Sequence, residues 1–259
     1  MFLPRVIPTL LLKNNGLVKT KKFKDEKYIG DPINAVRIFN EKEVDEIIFL
    51  DIDASKNDML PDYDMINRIA SECFMPLAYG GGINDIRQID KILNIGVEKI
   101  VINSCLFSNI NFIYDIANVI GSQSVVVSLD IKKSLFGAYK IYSHSSGNTY
   151  SMDLVSYLNK IQNLGAGEVF INSVDRDGTM GGYDIDLIKI VANTIDIPVI
   201  ACGGAGSVED FKDAIENGGA SAVSAGSMFV FHGVHNAVLI NYLNTKELKY
   251  IYEKQQWFK

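Results

Sequence analysis

The chain repeats itself at half its length. Pro76-Leu-Ala-Tyr-Gly-Gly-Gly-Ile83 returns as Pro198-Val-Ile-Ala-Cys-Gly-Gly-Ala205, about 122 residues later. Gly96-Val-Glu-Lys-Ile-Val-Ile-Asn-Ser104 returns as Gly219-Ala-Ser-Ala-Val-Ser-Ala-Gly-Ser227 at nearly the same interval. Asp53 and Asp175 keep that spacing, and Leu10-Leu-Leu-Lys13 aligns with Leu129-Asp-Ile-Lys132. Internal self-similarity of this kind constrains the whole architecture. The sequence reads as two fused (βα)4 halves, about 1–121 and 122–245, with a tail over 246–259.

Within the halves, short apolar runs alternate with segments of helical period. Strand-like runs cover 5–10, 46–50, 76–79, 99–102, 125–129, 168–172, 198–201 and 220–224. Each is a near-continuous apolar stretch, as expected for parallel strands covered on both faces. The helical segments carry recognisable ends. Asp31-Pro32 places a capping carboxylate before a first-turn proline, ahead of Ile33, Val36 and Phe39. Ile86, Ile89 and Leu93 form an apolar stripe stopped by Gly96, and Ser207-Val-Glu-Asp210 has capping-box spacing ahead of Phe211, Ile215 and a stop at Gly218. Eight strands alternating with about eight helices in 259 residues predict one α/β domain, a closed (β/α)8 TIM barrel spanning 1–259. A doubly wound open sheet is the runner-up, but no GxGxxG turn follows the first strand.

Composition narrows the function classes. A net charge of −6 argues against a generally basic nucleic-acid surface. Cys73, Cys105 and Cys202 are scattered and odd in number, which disfavours a disulfide framework or thiolate zinc site and suits a reducing cytoplasm. The apolar N-terminal stretch is interrupted by Pro4, Arg5 and Pro8, is too short to span a bilayer, and lacks a leader pattern. His144, His232 and His235 show no metal-ligand spacing, so no metal or cofactor is expected. Lys13, Lys19, Lys21, Lys22, Lys24 and Lys27 crowd one segment, readable either as a solvated loop or as a mobile cationic flap over an anion. The tail around Tyr250–Phe258, with Trp257, has two readings, packing on the barrel bottom or meeting a partner.

The glycine pairs carry the chemical signal. Gly80–Gly82 and Gly203–Gly204 each end a strand and open a helix, where backbone N–H groups and a positive helix end can receive an anion. Asn103-Ser104 and Ala225-Gly226-Ser227 close the next strand in each half. One such pair is usually just a turn. Two in register, at strands 3–4 and 7–8, predict a ligand with a phosphate at each end.

These motifs, together with Arg5-Val-Ile-Pro, Gly30-Asp31-Pro32, Phe49-Leu-Asp-Ile, Gly121-Ser-Gln-Ser and Asp175-Arg-Asp-Gly-Thr179, closely resemble the HisF family, the cyclase subunit of imidazole glycerol phosphate synthase. The resemblance covers nearly the whole chain. It implies a barrel docked on a HisH-like glutaminase, whose ammonia travels up the barrel to a site on the opposite face. Carried over residue by residue, it assigns Gly82, Asn103 and Ser104 to one phosphate site, and Asp177, Gly178, Gly203, Gly204, Ala225, Gly226 and Ser227 to the other. Lys19 falls on the flexible first loop over substrate. Arg5, Glu46, Lys99 and Glu168 match the charged ring that admits ammonia, and independently all four lie at strand N-terminal ends.

One departure outweighs the matches. The family's cyclases use two aspartates, at the ends of strands 1 and 5, as general acid and base. Asp130 is kept, but Leu11 stands at the strand-1 position and can neither take nor give a proton. A softer departure is Asn172, where the cyclases usually have threonine. Thr9-Leu-Leu-Leu-Lys13, Asn172-Ser-Val-Asp-Arg-Asp-Gly178 and Phe229-Val-Phe-His-Gly233 are similar to HisF-like paralogues of bacterial surface-polysaccharide synthesis. There the barrel and a glutaminase feed ammonia to a sugar N-acetyl amidotransferase. Three functions follow in order: a non-cyclising ammonia conduit, a slowed histidine-pathway cyclase working through Asp130, and a sugar-phosphate isomerase of the sister HisA type.

Overall fold

A computed structural model describes residues 3–253. The apolar runs form eight parallel strands: β1 (Arg5–Lys13), β2 (Ile47–Asp51), β3 (Leu77–Gly80), β4 (Lys99–Ile102), β5 (Val125–Lys133), β6 (Glu168–Ser173), β7 (Val199–Cys202) and β8 (Ala222–Ala225). They pair in chain order, and β8 closes on β1 with Arg5 opposite Ala222 and Pro8 opposite Ala225. The fold is a closed (β/α)8 barrel.

Strand alternation divides the apolar residues into two cores. Ile7, Ile48, Ala78, Val101, Val126, Phe170, Ile200 and Ala222 point inward and fill a layer across the barrel axis. Their sequence neighbours, such as Val6, Ile47, Phe49, Val127 and Ile171, point outward and pack beneath the helices through Phe39, Ile66, Ile89, Ile113, Leu158, Leu187 and Phe211. The helices are α1 (Pro32–Glu41), α2 (Tyr63–Glu72), α3 (Ile86–Ile95), α4 (Phe112–Ile120), α5 (Leu154–Asn163), α6 (Ile185–Ala192), α7 (Val208–Glu216), the short α8 (Ser227–Val230) and α9 (Thr245–Tyr252). The sequence caps act as read. Asp31 accepts from the Asn34 N–H, Ser207 and Asp210 cap each other's backbone, and Gly96 ends α3 in the left-handed conformation.

Strict alternation fails at the ends of β1 and β5, one in each half, and again at a short hairpin of Phe231–His232 with Ala237–Val238 between α8 and α9. β1 and β5 run beyond the barrel to Lys13 and Lys133 and fold back as antiparallel extensions. β1 pairs with Gly16–Lys21, which pairs in turn with Lys24–Gly30. β5 pairs with Tyr139–Tyr142, and that strand with Thr149–Tyr150. The lysine-rich segment, expected as a loop or flap, is therefore a paired ribbon. Lys21, Lys22, Lys24 and Lys27 are exposed, Lys13 meets Glu26 at 2.6 Å, and Lys19 turns inward.

Both ribbons lean over the open end of the barrel and touch there. The Phe23 ring lies edge-on to His144 with centroids 5.4 Å apart and tilts against Tyr142 at 6.0 Å. The first ribbon is tied down by the loop after β6. The Thr20 hydroxyl donates to the Asp177 carboxylate at 2.9 Å, and the Lys22 N–H donates to the Asp177 carbonyl at 2.9 Å. At the other end, α9 takes up the first part of the tail: Ile251 is buried, and Lys212 Nζ donates to the carbonyls of Tyr250 and Glu253. Trp257 and Phe258 lie outside the described residues.

Two glycines with similar left-handed backbones test how firmly the ribbon is docked. At Gly178 (φ +66°) an added Cβ would stand 2.2 Å from the Thr20 carbonyl oxygen, whereas at Gly233 (φ +69°) it would meet nothing within 4 Å. Gly233→Ala is expected to cost about 1 kcal/mol from backbone conformation alone. Gly178→Ala should cost roughly 2–3 kcal/mol and expose residues 16–30 to protease. Urea unfolding with limited proteolysis of both variants checks the difference.

Candidate functional site

Read along the axis, the inward residues form distinct layers. At the N-terminal end Arg5, Glu46, Lys99 and Glu168 close a four-membered ring of alternating charge. Arg5 bonds Glu46 and reaches Glu168 at 2.9 Å, while Lys99 Nζ lies 2.9 Å from Glu46 and 3.2 Å from Glu168. Burial opposes the Arg5 charge most strongly, yet Glu168 and Glu46 together raise its pKa. Each carboxylate meets both cations through one oxygen. Glu46 Oε1 and Glu168 Oε2 are buried with no hydrogen-bond partner among the described residues. The four residues singled out in the sequence are thus brought together, although 163 positions separate the first from the last (about 5 to 168).

Above the ring sits the apolar layer of Ile7, Ile48, Ala78, Val126, Ile200 and Ala222. Above that, the Thr9 and Ser224 hydroxyls hydrogen-bond each other, and Ser224 Oγ donates to the Ile7 carbonyl at 3.0 Å. Thr9, Ser128, Val101 and Phe170 form the floor of a cavity that opens at the C-terminal face.

Asp130 stands in this cavity on β5. Asn103 at the end of β4 donates its amide to Oδ2 at 2.8 Å, and Asn172 on β6 donates to Oδ1 at 3.3 Å. Complete burial pushes the carboxyl up to about 7, against the opposing pull of the two amides. Leu11, on β1 across the barrel, is 9% exposed and lines the same cavity beside Leu50. Two other carboxylates line it, and both hold backbone. Asp51 accepts from the N–H groups of Asp53 and Ala54, and Asp177 accepts from Thr20 and the Phe23 N–H. Asp130 is the carboxyl of this cavity held by amide side chains alone.

The residues that the resemblance assigns to phosphate sites fall into two groups. Gly82, Asn103 and Ser104 line the cavity, with the Gly82 N–H donating to Ser55 Oγ at 3.2 Å. On the other side Asp177 and Gly178 hold the ribbon. Gly203 (φ +88°) and Gly204 (φ +119°) are backed by the loop after β6, and Ala225-Gly226-Ser227 leads from β8 into α8. Lys19 Nζ presses on Gly226, where an added Cβ would lie 1.8 Å away. Lys19 is 5% exposed, and no carboxylate lies within ion-pair distance of it among the described residues.

Sequence reasoning missed several cavity residues: Thr20, Phe23, Asp51, Ser55, Lys56, His144 and Ser145. Most arrive on the ribbons or the loop after β2, and their spacing carries no motif. Burial lowers the His144 pKa. Cys202 lines the cavity as a thiol pushed up to about 12 by burial. Among the described residues no cluster of His, Cys, Asp or Glu could hold a metal ion, and no helix is long and apolar enough to cross a membrane.

Residues 5–235 match the histidine biosynthesis protein family. The chain belongs to this family. Within it, the chain is HisF-like. It is 51% identical over 245 residues to a Leptospira borgpetersenii protein named "Putative imidazole glycerol phosphate synthase subunit HisF", covering 94% of this chain and 96% of that one. It is 50% identical over 244 residues to a Pseudomonas aeruginosa protein, "Putative imidazole glycerol phosphate synthase subunit hisF2", at 94% and 97% coverage. The imidazole glycerol phosphate synthase subunit HisF of Alkaliphilus metalliredigens is 39% identical over 234 residues, at 90% and 93%. In this HisF-like barrel, burial raises the pKa of Asp130, in the cavity at the C-terminal face, to about 7.

That carboxyl should leave a signature in stability. Its folded pKa of about 7 lies above the ordinary carboxylate value, so the native state binds the extra proton between them. Stability from this group is greatest at low pH and declines as pH rises from about 4 to about 7. Relative to Asp130→Asn, the natural protein should therefore lose stability across that window and hold a constant difference above it. Urea unfolding at a series of pH values measures this.

Proposed function

We propose that this chain is the non-cyclising barrel subunit of a cytoplasmic glutamine-dependent amidotransferase complex. A HisH-like glutaminase docks on the face carrying the charged ring and releases ammonia there. Ammonia passes along the barrel axis to the mouth. A separate sugar amidotransferase takes it up and converts an N-acetyl group to an acetamidino group on a surface-polysaccharide sugar.

The observation that carries this reading is Leu11. It fills the strand-1 position facing the same cavity as Asp130, and the nearby carboxylates Asp51 and Asp177 are engaged by backbone and hydroxyl donors. One member of an acid–base pair is missing, a loss that typically costs 10²–10⁴-fold in rate. The remaining layers suit ammonia transfer. A partly buried ring of two cations and two anions sits at the entrance. Behind it the apolar layer favours a small neutral molecule over an ion, because moving a charge into such surroundings costs far more than moving a neutral group. The buried Lys19 beside Gly226 supports a retained anion cradle at the mouth. Retained Asp130 with its neutral-range pKa favours the second reading, an imidazole glycerol phosphate synthase cyclase working through one carboxyl.

Cyclase turnover with the family's ribulosyl substrate and ammonium separates the two. The natural protein is expected to show none, and Leu11→Asp to gain it. Turnover by the natural protein would restore the histidine-pathway assignment. In a complex with the glutaminase, Arg5→Ala should leave glutamine hydrolysis running while ammonia escapes before reaching the acceptor. Unchanged coupling between hydrolysis and transfer would remove the ring from the ammonia route.

A further inference from the structure

Asn172 has one amide end that nothing meets. Its Nδ2 donates to Asp130, whereas Oδ1 is buried and has no hydrogen-bond partner among the described residues. The residue is 8% exposed, so water does not readily compensate for that end. Turning the amide by 180° exchanges oxygen and nitrogen without solving the problem, since the other end is then unmet. A buried polar group in this condition is a pointer to a missing partner.

The position of the unmet end says what the partner is. Asn172 Oδ1 lies 2.7 Å from where a Gly203 Cβ would stand, against the glycine turn that follows β7. That side holds the left-handed Gly203 and Gly204 and, across Cys202 and Gly226, the buried ammonium of Lys19. The amide therefore bridges two things: a carboxyl and an anion cradle with an unpaired cation.

The two ends of an amide are coupled by rigidity. With Asp130 ionised, Nδ2 must face the carboxylate and the acceptor oxygen faces the cradle, where it repels an anion. With Asp130 protonated, the carboxyl can donate to Oδ1, and Nδ2 then turns its hydrogens toward the cradle. We propose that Asn172 is a positioning residue that ties occupation of the Gly203–Gly226 cradle by a phosphate-like dianion to uptake of a proton on Asp130. The proposal rests on the reading of that cradle as an anion site, and adds to it a swivel between anion and carboxyl.

Other charges face the pair and must be held in view. Asp177 raises and Lys132 lowers the Asp130 pKa, while Lys19, Asp51, Lys56 and His144 line the same cavity. Direct repulsion between an ionised Asp130 and a bound anion would also link the two. Removing the amide while leaving the carboxyl separates the mechanisms.

The probe is inorganic sulfate, whose charge is constant over the range used, titrated calorimetrically into the full chain from about pH 6 to about pH 8.5. Buffers of different ionisation heat count the protons taken up. The natural protein is expected to bind sulfate about tenfold more weakly at the upper pH and to take up part of a proton per sulfate at neutral pH. In Asn172→Ala, and in the smaller change Asn172→Thr, the pH dependence should largely vanish, and Asp130→Asn should abolish proton uptake. Binding that is independent of pH in the natural protein overturns the proposal. So does a dependence that survives intact in both Asn172 variants, which would assign it to direct repulsion. Absence of any sulfate binding is a different failure, because it removes the cradle itself.

Discussion

Everything in this protein depends on the pairing of its last barrel strand with its first. Once β8 closes on β1, with Val6 opposite Val223 and Ile7 opposite Ser224, every strand has two neighbours and each alternate side chain must point to the axis. That single constraint converts sequence position into height. Arg5, Ile7, Thr9 and Leu11 become four successive levels of the interior, and the matching residues of the other strands fall into the same levels. A one-residue slip would send the charged ring into the helix-facing core and Val6 to the axis.

Chemical character changes sharply from level to level. Ionic groups, an apolar layer, a pair of hydroxyls and a carboxyl with amide partners succeed one another along the axis. The ring is worth little as a stability device, since taking four charges out of water offsets much of their attraction. Two of its carboxylate oxygens, Glu46 Oε1 and Glu168 Oε2, are buried and have no hydrogen-bond partner among the described residues. At the mouth, burial raises the Asp130 pKa to about 7, while Leu11 lines the same cavity with no titratable group.

How much was legible varied with the kind of residue. The ring could be anticipated because Arg5, Glu46, Lys99 and Glu168 each interrupt an apolar run at the same end. The caps at Asp31, Ser207 and Gly96 could be read because capping is decided within four residues. The two ribbons were not legible. Their strands carry no long apolar run: Gly16–Lys21 is mostly buried yet mixes Lys19 and Thr20 with Leu17 and Val18, Lys24–Gly30 is mostly exposed, and both ribbons form because β1 and β5 offer an edge beyond the barrel. Asp177 and Gly178 show the same limit. A strand-end Asp-Gly reads as part of a phosphate turn, but here the pair also anchors Thr20, a contact between residues 157 positions apart.

The sequence by itself determined the barrel, its internal repeat, the charged ring and the leucine at position 11 of the first strand. All of these are written in local period, spacing or the identity of one side chain. Tertiary structure alone decided which groups share the mouth: Phe23 against His144, Lys19 over Gly226, and Asn172 between Asp130 and Gly203. Those relations depend on how far each loop travels after leaving the sheet, and on the burial that results. Burial is a property of the assembled chain, so neither the Asp130 pKa nor the unmet Asn172 oxygen can be read from neighbours in sequence.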